Sequence, residues 1–281
     1  LLRNKAAGTA GNFGYNNELV SIFVVTFNRL SLLKKCILNI LPTINELNYE
    51  LIIIDNASSD GTKEFRNEIS RSNPKIRIIL NEKNIGTNSK SLGAEESKGE
   101  FIIGVDDDVI EFPEKWVQQM IHAYKNIPGM GYLAADVVQD ETTTGAKQSE
   151  DSYTKEYYEN GNIILEVGPT GGWCFMFSRE VYNKVGKLIT FKNRIFFMED
   201  EDYVNRMINS GYKYGILSGL KVYHAAGAVH NAEFGKVYSE KYKDLSRKQP
   251  VTYKVKTQIM KIFSVKRLIS KLSEFSSGQD Q

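Results

Sequence analysis

The chain has 281 residues, 41% of them hydrophobic and 25% charged, proportions that suit a globular protein with a sizeable core. A formal net charge of +2 excludes binding to nucleic acid through bulk charge, and two distant cysteines, Cys36 and Cys174, exclude a disulfide framework and a cysteine metal site. No apolar signal core stands at the N-terminus and no apolar run reaches the ~18 residues of a membrane span, so the expectation is a cytoplasmic protein that meets a membrane only at its surface.

Residues 1–18, rich in Gly, Asn and Ala, read as a flexible lead-in. Residues 21–27 form a continuous apolar run suited to a buried parallel strand. Leu32, Leu33, Ile37, Ile40 and Leu41 then repeat at helical spacing, which predicts a helix over 31–41 with Ser31 as its N-cap. A second strand over 49–55, a helix over 62–71 and a third strand over 76–80 follow. A helix over 86–97 leads to a fourth strand, 101–105, which runs into Asp106, Asp107 and Asp108. Pro113 is placed to open the next helix, 114–126. Strands alternating with helices imply βαβ units and a mainly parallel, Rossmann-like α/β sheet flanked by helices.

The second half is less regular. Residues 139–162 are polar and rich in Thr, Glu and Tyr, and read as a long loop with short elements. Residues 171–177 are a Gly-Gly turn feeding a short strand, and Ser178 starts a helix ending near Gly186. A helix over 202–210 has Gly211 just beyond its end. Residues 214–223 hold two short strand candidates, and His224 follows. Composition shifts beyond Gly235: residues 236–271 carry 11 basic side chains against two acidic ones, and Val255, Ile259, Ile262, Val265, Ile269 and Leu272 fall at helical spacing. This basic helical tail, 236–281, either lies on an anionic membrane surface or packs on the preceding domain with its lysines in water.

Ligands of open α/β sheets bind at the carboxyl ends of the strands. Thr26, Asn28, Arg29, Asp55, Asn56 and the three aspartates stand there. Three carboxylates at a buried strand's tip are costly unless a positive charge offsets them, and a hard divalent cation, magnesium or manganese, suits such oxygen ligands. The alternative is a solvated acidic turn or a helix cap. The run from Asp55 to Thr62 fails as a calcium loop, because Ala57 takes a ligand position and Asp60 the glycine position; Asp60 instead suits a cap for the next helix. In the Glu199, Asp200, Glu201, Asp202 cluster, acidic residues fit a helix's first turn, which accounts for Glu201, whereas a catalytic role is preferred for Asp200. Gly171 and Gly172 permit close backbone approach, and Trp173 either stacks on a sugar face or fills the core. Cys174 reads as core, and His122 as a mid-helix surface or core residue. His230 has nothing in the sequence to tie it to a site.

Val25 to Arg29, then Ile52 to Thr62, Asn84-Ile85-Gly86, Asp106 to Asp108, Gly171 to Phe177, the cluster around Asp200, and His224 together resemble the successive blocks of family 2 glycosyltransferases with the GT-A fold. The resemblance runs from Ser21 to His224. It implies one domain over 19–235, with a nucleotide-binding half over 19–138 and a smaller mixed acceptor-side half over 139–235. It implies a nucleotide diphosphate sugar donor, UDP- or dTDP-linked, and a glycan or lipid-linked hydroxyl acceptor, with inversion at the anomeric carbon. Thr26, Asn28, Arg29 and Asp107 would line the nucleotide pocket, and Asp55 would meet the base. Asp106 would approach the ribose or the metal, while Asp108 and His224 would hold that metal. Asp200 would be the general base, with Glu199, Asp202, Gly171, Gly172 and Trp173 on the sugar and acceptor side. One departure is that the segment after Gly86 is a residue short, so Lys90 and Ser91 stand where the family often has Arg and Asn; Lys90 is placed near the base or diphosphate. The rivals are a sugar nucleotidylyltransferase, disfavoured because no glycine-rich loop follows the first strand, and an inactive glycan-binding module on the same fold. A dinucleotide-dependent oxidoreductase is set aside because no strand is followed by the glycine fingerprint.

Overall fold

The computed structural model describes residues 17–139, 147–188 and 199–225; the side chains of Glu199 and Asp200, the basic tail and His230 lie outside the described residues. The chain runs β1 (Val20–Thr26), α1 (Leu30–Ile44), β2 (Tyr49–Asp55), α2 (Thr62–Ser72), β3 (Ile76–Leu80), α3 (Asn88–Glu96) and β4 (Phe101–Asp106). After these come β5 (Val109–Glu111), α4 (Trp116–Asn126), β6 (Met130–Val137), β7 (Thr154–Tyr158), β8 (Ile163–Val167), β9 (Cys174–Ser178), α5 (Arg179–Val185), α6 (Glu199–Asn209) and β10 (Lys213–His224). No helix among the described residues is long and apolar enough to cross a membrane.

One mixed sheet has the order β3-β2-β1-β4-β9-β6-β10-β8-β7, with β5 paired to β10. Strands β1 to β4 are mutually parallel, as their near-continuous Val/Ile/Leu content demands: every residue of β2 is buried. Parallel order places the ends of these strands on one edge, where Thr26 is in register with Asp55 and Val25 with Asp106. The second half is mixed. Strand β9 runs antiparallel between β4 and β6, and β10 is parallel to β6 but antiparallel to β8. Its reversal brings the start of β9 to the carboxyl edge, where the carbonyl of Trp173 accepts the N–H of Asp106 at 2.8 Å.

Several expectations need correction. Strand β6 is absent from the sequence reading, although all eight of its residues are buried. Strands β5 and β8 are likewise unread, and β7 is one of the short elements expected in the polar stretch. The two strand candidates near the end are one strand with a register break between Leu217 and Lys221. Ser31 lies inside α1 rather than capping it; the amide of Leu30 is capped from another loop by Asp60 Oδ2 at 2.9 Å. Pro113 stands before α4 rather than in its first turn, since Lys115, at φ +53°, precedes the helix. Helix α6 starts at Glu199, three residues earlier than expected. Ser178 does cap α5, accepting the Val181 amide at 3.1 Å.

A buried ion cluster stiffens the irregular half. Lys147 Nζ lies 2.9 Å from Asp136 Oδ1 on β6 and also pairs with Glu166 on β8, all three side chains being under 10% exposed. Asp136 Oδ2 accepts the Gly219 amide and Glu166 Oε1 accepts the Ser218 hydroxyl, which secures the break in β10.

Candidate active site

The site lies where β1, β2, β4 and β10 end and β9 begins. Asn28, at φ +51°, turns the chain after β1. Its amide donates to Ser58 Oγ at 2.9 Å and its Oδ1 accepts the Ser59 amide at 2.7 Å, so the β1 and β2 loops form one wall. Asp55 ends β2 and is 2% exposed. Its Oδ1 accepts the Ser58 amide at 2.9 Å, and its Oδ2 lies 3.0 Å from Arg66 Nε on α2.

The three aspartates diverge. Asp107 turns inward: Oδ2 accepts the Thr26 hydroxyl at 2.7 Å and Oδ1 accepts Arg29 Nη1 at 2.7 Å. Burial pushes its carboxyl up to about 6, against the pull of Arg29. Asp108 meets Arg29 through Oδ2 at 2.9 Å and His224 Nε2 through Oδ1 at 3.1 Å. Burial opposes its charge, yet His224 and Arg29 hold its carboxyl well below the usual range. Burial likewise opposes the charges of Arg29 and His224, yet both groups are shifted upward: Arg29 by Asp107 and Asp108, His224 by Asp108. Asp106 is the most exposed of the three, and its Oδ1 lies 3.1 Å from Lys90 Nζ.

Asp106, Asp108 and His224 therefore converge, each offering a ligand atom within 4.8 Å of the others. His224 Nδ1 is buried without a hydrogen-bond partner. Two carboxylates and an imidazole suit manganese or magnesium, so the residues present fit such an ion.

Lys90 stands beside the aspartates. It is 7% exposed and bridges Asp106 and the carbonyl of Gly172, the latter at 3.2 Å. Trp173 takes the core alternative: it is 4% exposed, its Nε1 donates to the Ala135 carbonyl at 2.9 Å, and its ring stacks 6.3 Å from that of His224. Gly171 must be glycine, because a Cβ there would lie 2.2 Å from the Trp173 ring. Its carbonyl accepts the Tyr132 hydroxyl at 3.2 Å. Cys174 is fully buried, and burial raises its thiol.

Asp202 Oδ2 accepts Arg206 Nε at 3.0 Å one turn along α6, and Arg206 also donates to the carbonyls of Val185, Lys187 and Leu188. The backbone of Glu199 and Asp200 opens the same helix. Of two further site-edge residues, Asn56 was among the strand-end candidates and Arg66 escaped the sequence reading. Asn56 binds Gly86, Asn81 and Ser89 and so fixes the loop between β3 and α3. Arg66 is buried on the sheet-facing side of α2 beside Phe65, a placement that nothing local in the sequence signals.

The sequence profile of Glycosyl transferase family 2 matches residues 21–186. The chain is 24% identical over 202 residues to glycosyltransferase AglE of Haloferax volcanii, a match covering 69% of this chain and 62% of that protein. It is similar to the mannosyltransferase PcManGT from Pyrobaculum calidifontis in complex with GDP-Man and Mn2+, with TM-score 0.58 and 16% identity over 76% of this chain and 58% of that one. It is also similar to GalNAc-T7 with UDP, GalNAc and Mn2+, with TM-score 0.57 and 17% identity over 74% and 43% of the two chains. The curated relatives that head the comparison are longer, and the chain spans 25% and 62% of the first two.

Proposed function

The chain belongs to glycosyltransferase family 2 and has the GT-A fold of its structural neighbours, and from that premise we propose that it transfers a sugar from a nucleoside diphosphate to a hydroxyl of a glycan or lipid-linked acceptor, with inversion. The observation that carries this reading is the convergence of Asp106, Asp108 and His224 within 4.8 Å at the carboxyl edge of the sheet.

These three side chains would hold manganese or magnesium. A cation bound there supplies positive charge against the diphosphate that leaves the anomeric carbon. The chain's own groups do the rest. Asp107, itself held by Thr26, pins Arg29 beside Asp108, so one permanent cation would face the diphosphate without having to be ordered on binding. Lys90 holds Asp106 and the Gly172 carbonyl together, which ties the donor side of the cleft to the sugar side. The Asn28 and Ser58–Ser59 wall and Asp55 would frame the nucleoside. Asp200, at the start of α6, would take the proton of the acceptor hydroxyl as its oxygen attacks the anomeric carbon from the face opposite the diphosphate. A single such displacement inverts that carbon. Glu199 and Asp202 would border the acceptor, with Asp202 held by Arg206.

Incubating the protein with manganese and a panel of nucleotide sugars, and reading the nucleoside diphosphate released, tests the donor site. One nucleotide sugar should be hydrolysed slowly without acceptor. Asp200→Asn should bind that nucleotide as the wild type does and lose about 10²- to 10⁴-fold in transfer. Wild-type transfer by Asp200→Asn would remove Asp200 as the base. An inactive glycan-binding module would release nothing from any donor.

A further inference from the structure

A second buried charge stands at the same edge of the sheet, away from the aspartates. Arg66 lies on the sheet-facing side of α2 and is 7% exposed. Its Nε lies 3.0 Å from Asp55 Oδ2, but the N–H does not align with that oxygen, so Nε is buried without a hydrogen-bond acceptor. Among the described residues, Nη1 and Nη2 have no acceptor either. A guanidinium carries five N–H donors; here Nε is sealed from solvent on one misaligned ion pair while Nη1 and Nη2 keep access to solvent, and a buried, unmatched donor is costly. The fold leaves donors aimed at nothing of its own.

Their surroundings are ordered. Asp55 is fixed by the Ser58 amide, and its neighbour Asn56 is bound to Gly86, Asn81 and Ser89. Asp55 is in register with Thr26 on β1, and Val25 beside it is in register with Asp106 on β4. Two strand spacings, about 10 Å, therefore separate the Asp55–Arg66 pair from the aspartates. That is the span a ribose bridges between a base and its diphosphate.

We propose that Arg66, oriented by Asp55, is the specificity-determining residue for the nucleobase of the donor. Its Nη groups donate to a carbonyl oxygen of the base, while Asp55 retains lone pairs for the ring N–H beside that carbonyl. Uracil, thymine and guanine present this carbonyl and N–H side by side. In the same orientation adenine and cytosine present an amino group to Arg66 and a bare ring nitrogen to Asp55, which sets donor against donor and acceptor against acceptor. The pair thus selects a keto base and rejects an amino base. This inference rests on the donor-site reading given above.

Calorimetric binding of UDP, dTDP, GDP, CDP and ADP in the presence of manganese tests it, on the wild type and on Arg66→Lys and Arg66→Met. In the wild type the tightest ligand should be UDP, dTDP or GDP, with ADP and CDP at least about tenfold weaker. Arg66→Lys keeps a cation beside Asp55 but loses the planar fork, and should narrow the gap between the tightest keto-base ligand and ADP or CDP by at least about threefold. Arg66→Met should do the same; if it fails to fold, Arg66→Lys with an unchanged melting temperature carries the test. A structural role alone would weaken all five equally and leave their ratios intact, and that result overturns the inference. So does a wild type that prefers ADP or CDP. If no diphosphate binds the wild type with manganese, the donor-site reading falls, and this one with it.

Discussion

Asp106, Asp107 and Asp108 are consecutive and chemically identical, yet their partners divide them. Asp107 has both oxygens engaged by Thr26 and Arg29, whereas Asp106 and Asp108 share a ligand cluster with His224. Asp108→Ala should therefore abolish the rise in melting temperature that UDP with manganese gives, a stabilisation of about 2.7 kcal/mol at a hundredfold excess over Kd. Asp107→Asn should cost about 1–3 kcal/mol in urea unfolding and retain manganese binding. Equal loss of the ion in both variants would show that Asp107 is a ligand. The aspartate cluster was legible in the sequence because three adjacent carboxylates at a strand's tip demand a counter-charge on electrostatic grounds alone. Its internal division was not, since that depends on which oxygen faces Thr26 across 81 residues. Arg66 was unreadable as a site residue for a related reason. A lone arginine in a helix reads as a solvated side chain until the sheet beneath it is known.

Secondary-structure elements were legible where local chemistry is decisive. Strands β2 and β3 fall where their apolar runs place them, and β1 is displaced by one residue. Strand β6 was missed because Gly131, Ala134, Ala135 and Asp136 weaken its β signal, and burial on both faces removes alternation. Asp60 was expected to cap one helix and serves two. Its Oδ1 accepts the amide and hydroxyl of Thr62 at the start of α2, while Oδ2 accepts the Leu30 amide at the start of α1. Asp60→Ala should cost about 1–2 kcal/mol or more, since two starts lose a partner. Partial burial works against the Asp60 charge, but these hydrogen bonds hold its carboxyl below the ordinary value of 3.8. A pKa lowered by folding means stability that is full above the unfolded pKa and lost as pH falls through the folded one. The acid limb of stability against pH should accordingly flatten in Asp60→Ala. Gly93 in α3 sets propensity against packing. Alanine is favoured in a helix by about 1 kcal/mol, but a Cβ there would lie 2.6 Å from the Phe23 ring and 2.8 Å from Ile54 Cδ1. Packing should win, with Gly93→Ala destabilising by about 1–3 kcal/mol in thermal unfolding. A stabilised Gly93→Ala would mean that α3 can lift from β1 and β2.

Across the whole molecule, the regular first half needs little beyond its apolar layers, whereas the irregular second half relies on buried charge. Lys147, Asp136 and Glu166 draw β6, β8 and the broken strand β10 together, and residue separation hid this cluster from the sequence. Lys147→Met should leave two carboxylates buried without their cation and cost about 3–5 kcal/mol in urea unfolding, whereas a surface lysine would cost almost nothing. The two halves meet along the reversed strand β9, which pairs with β4 from Phe101 to Val105 and with β6 at Leu133 and Ala134. That strand works as a splint. The glycine turn at its head and the aspartate tip of β4 are lashed by one backbone ladder, so neither can swing independently of the other. A displacement of Gly171 or Gly172 is therefore carried through Trp173, whose carbonyl holds the Asp106 amide, to the tip of β4.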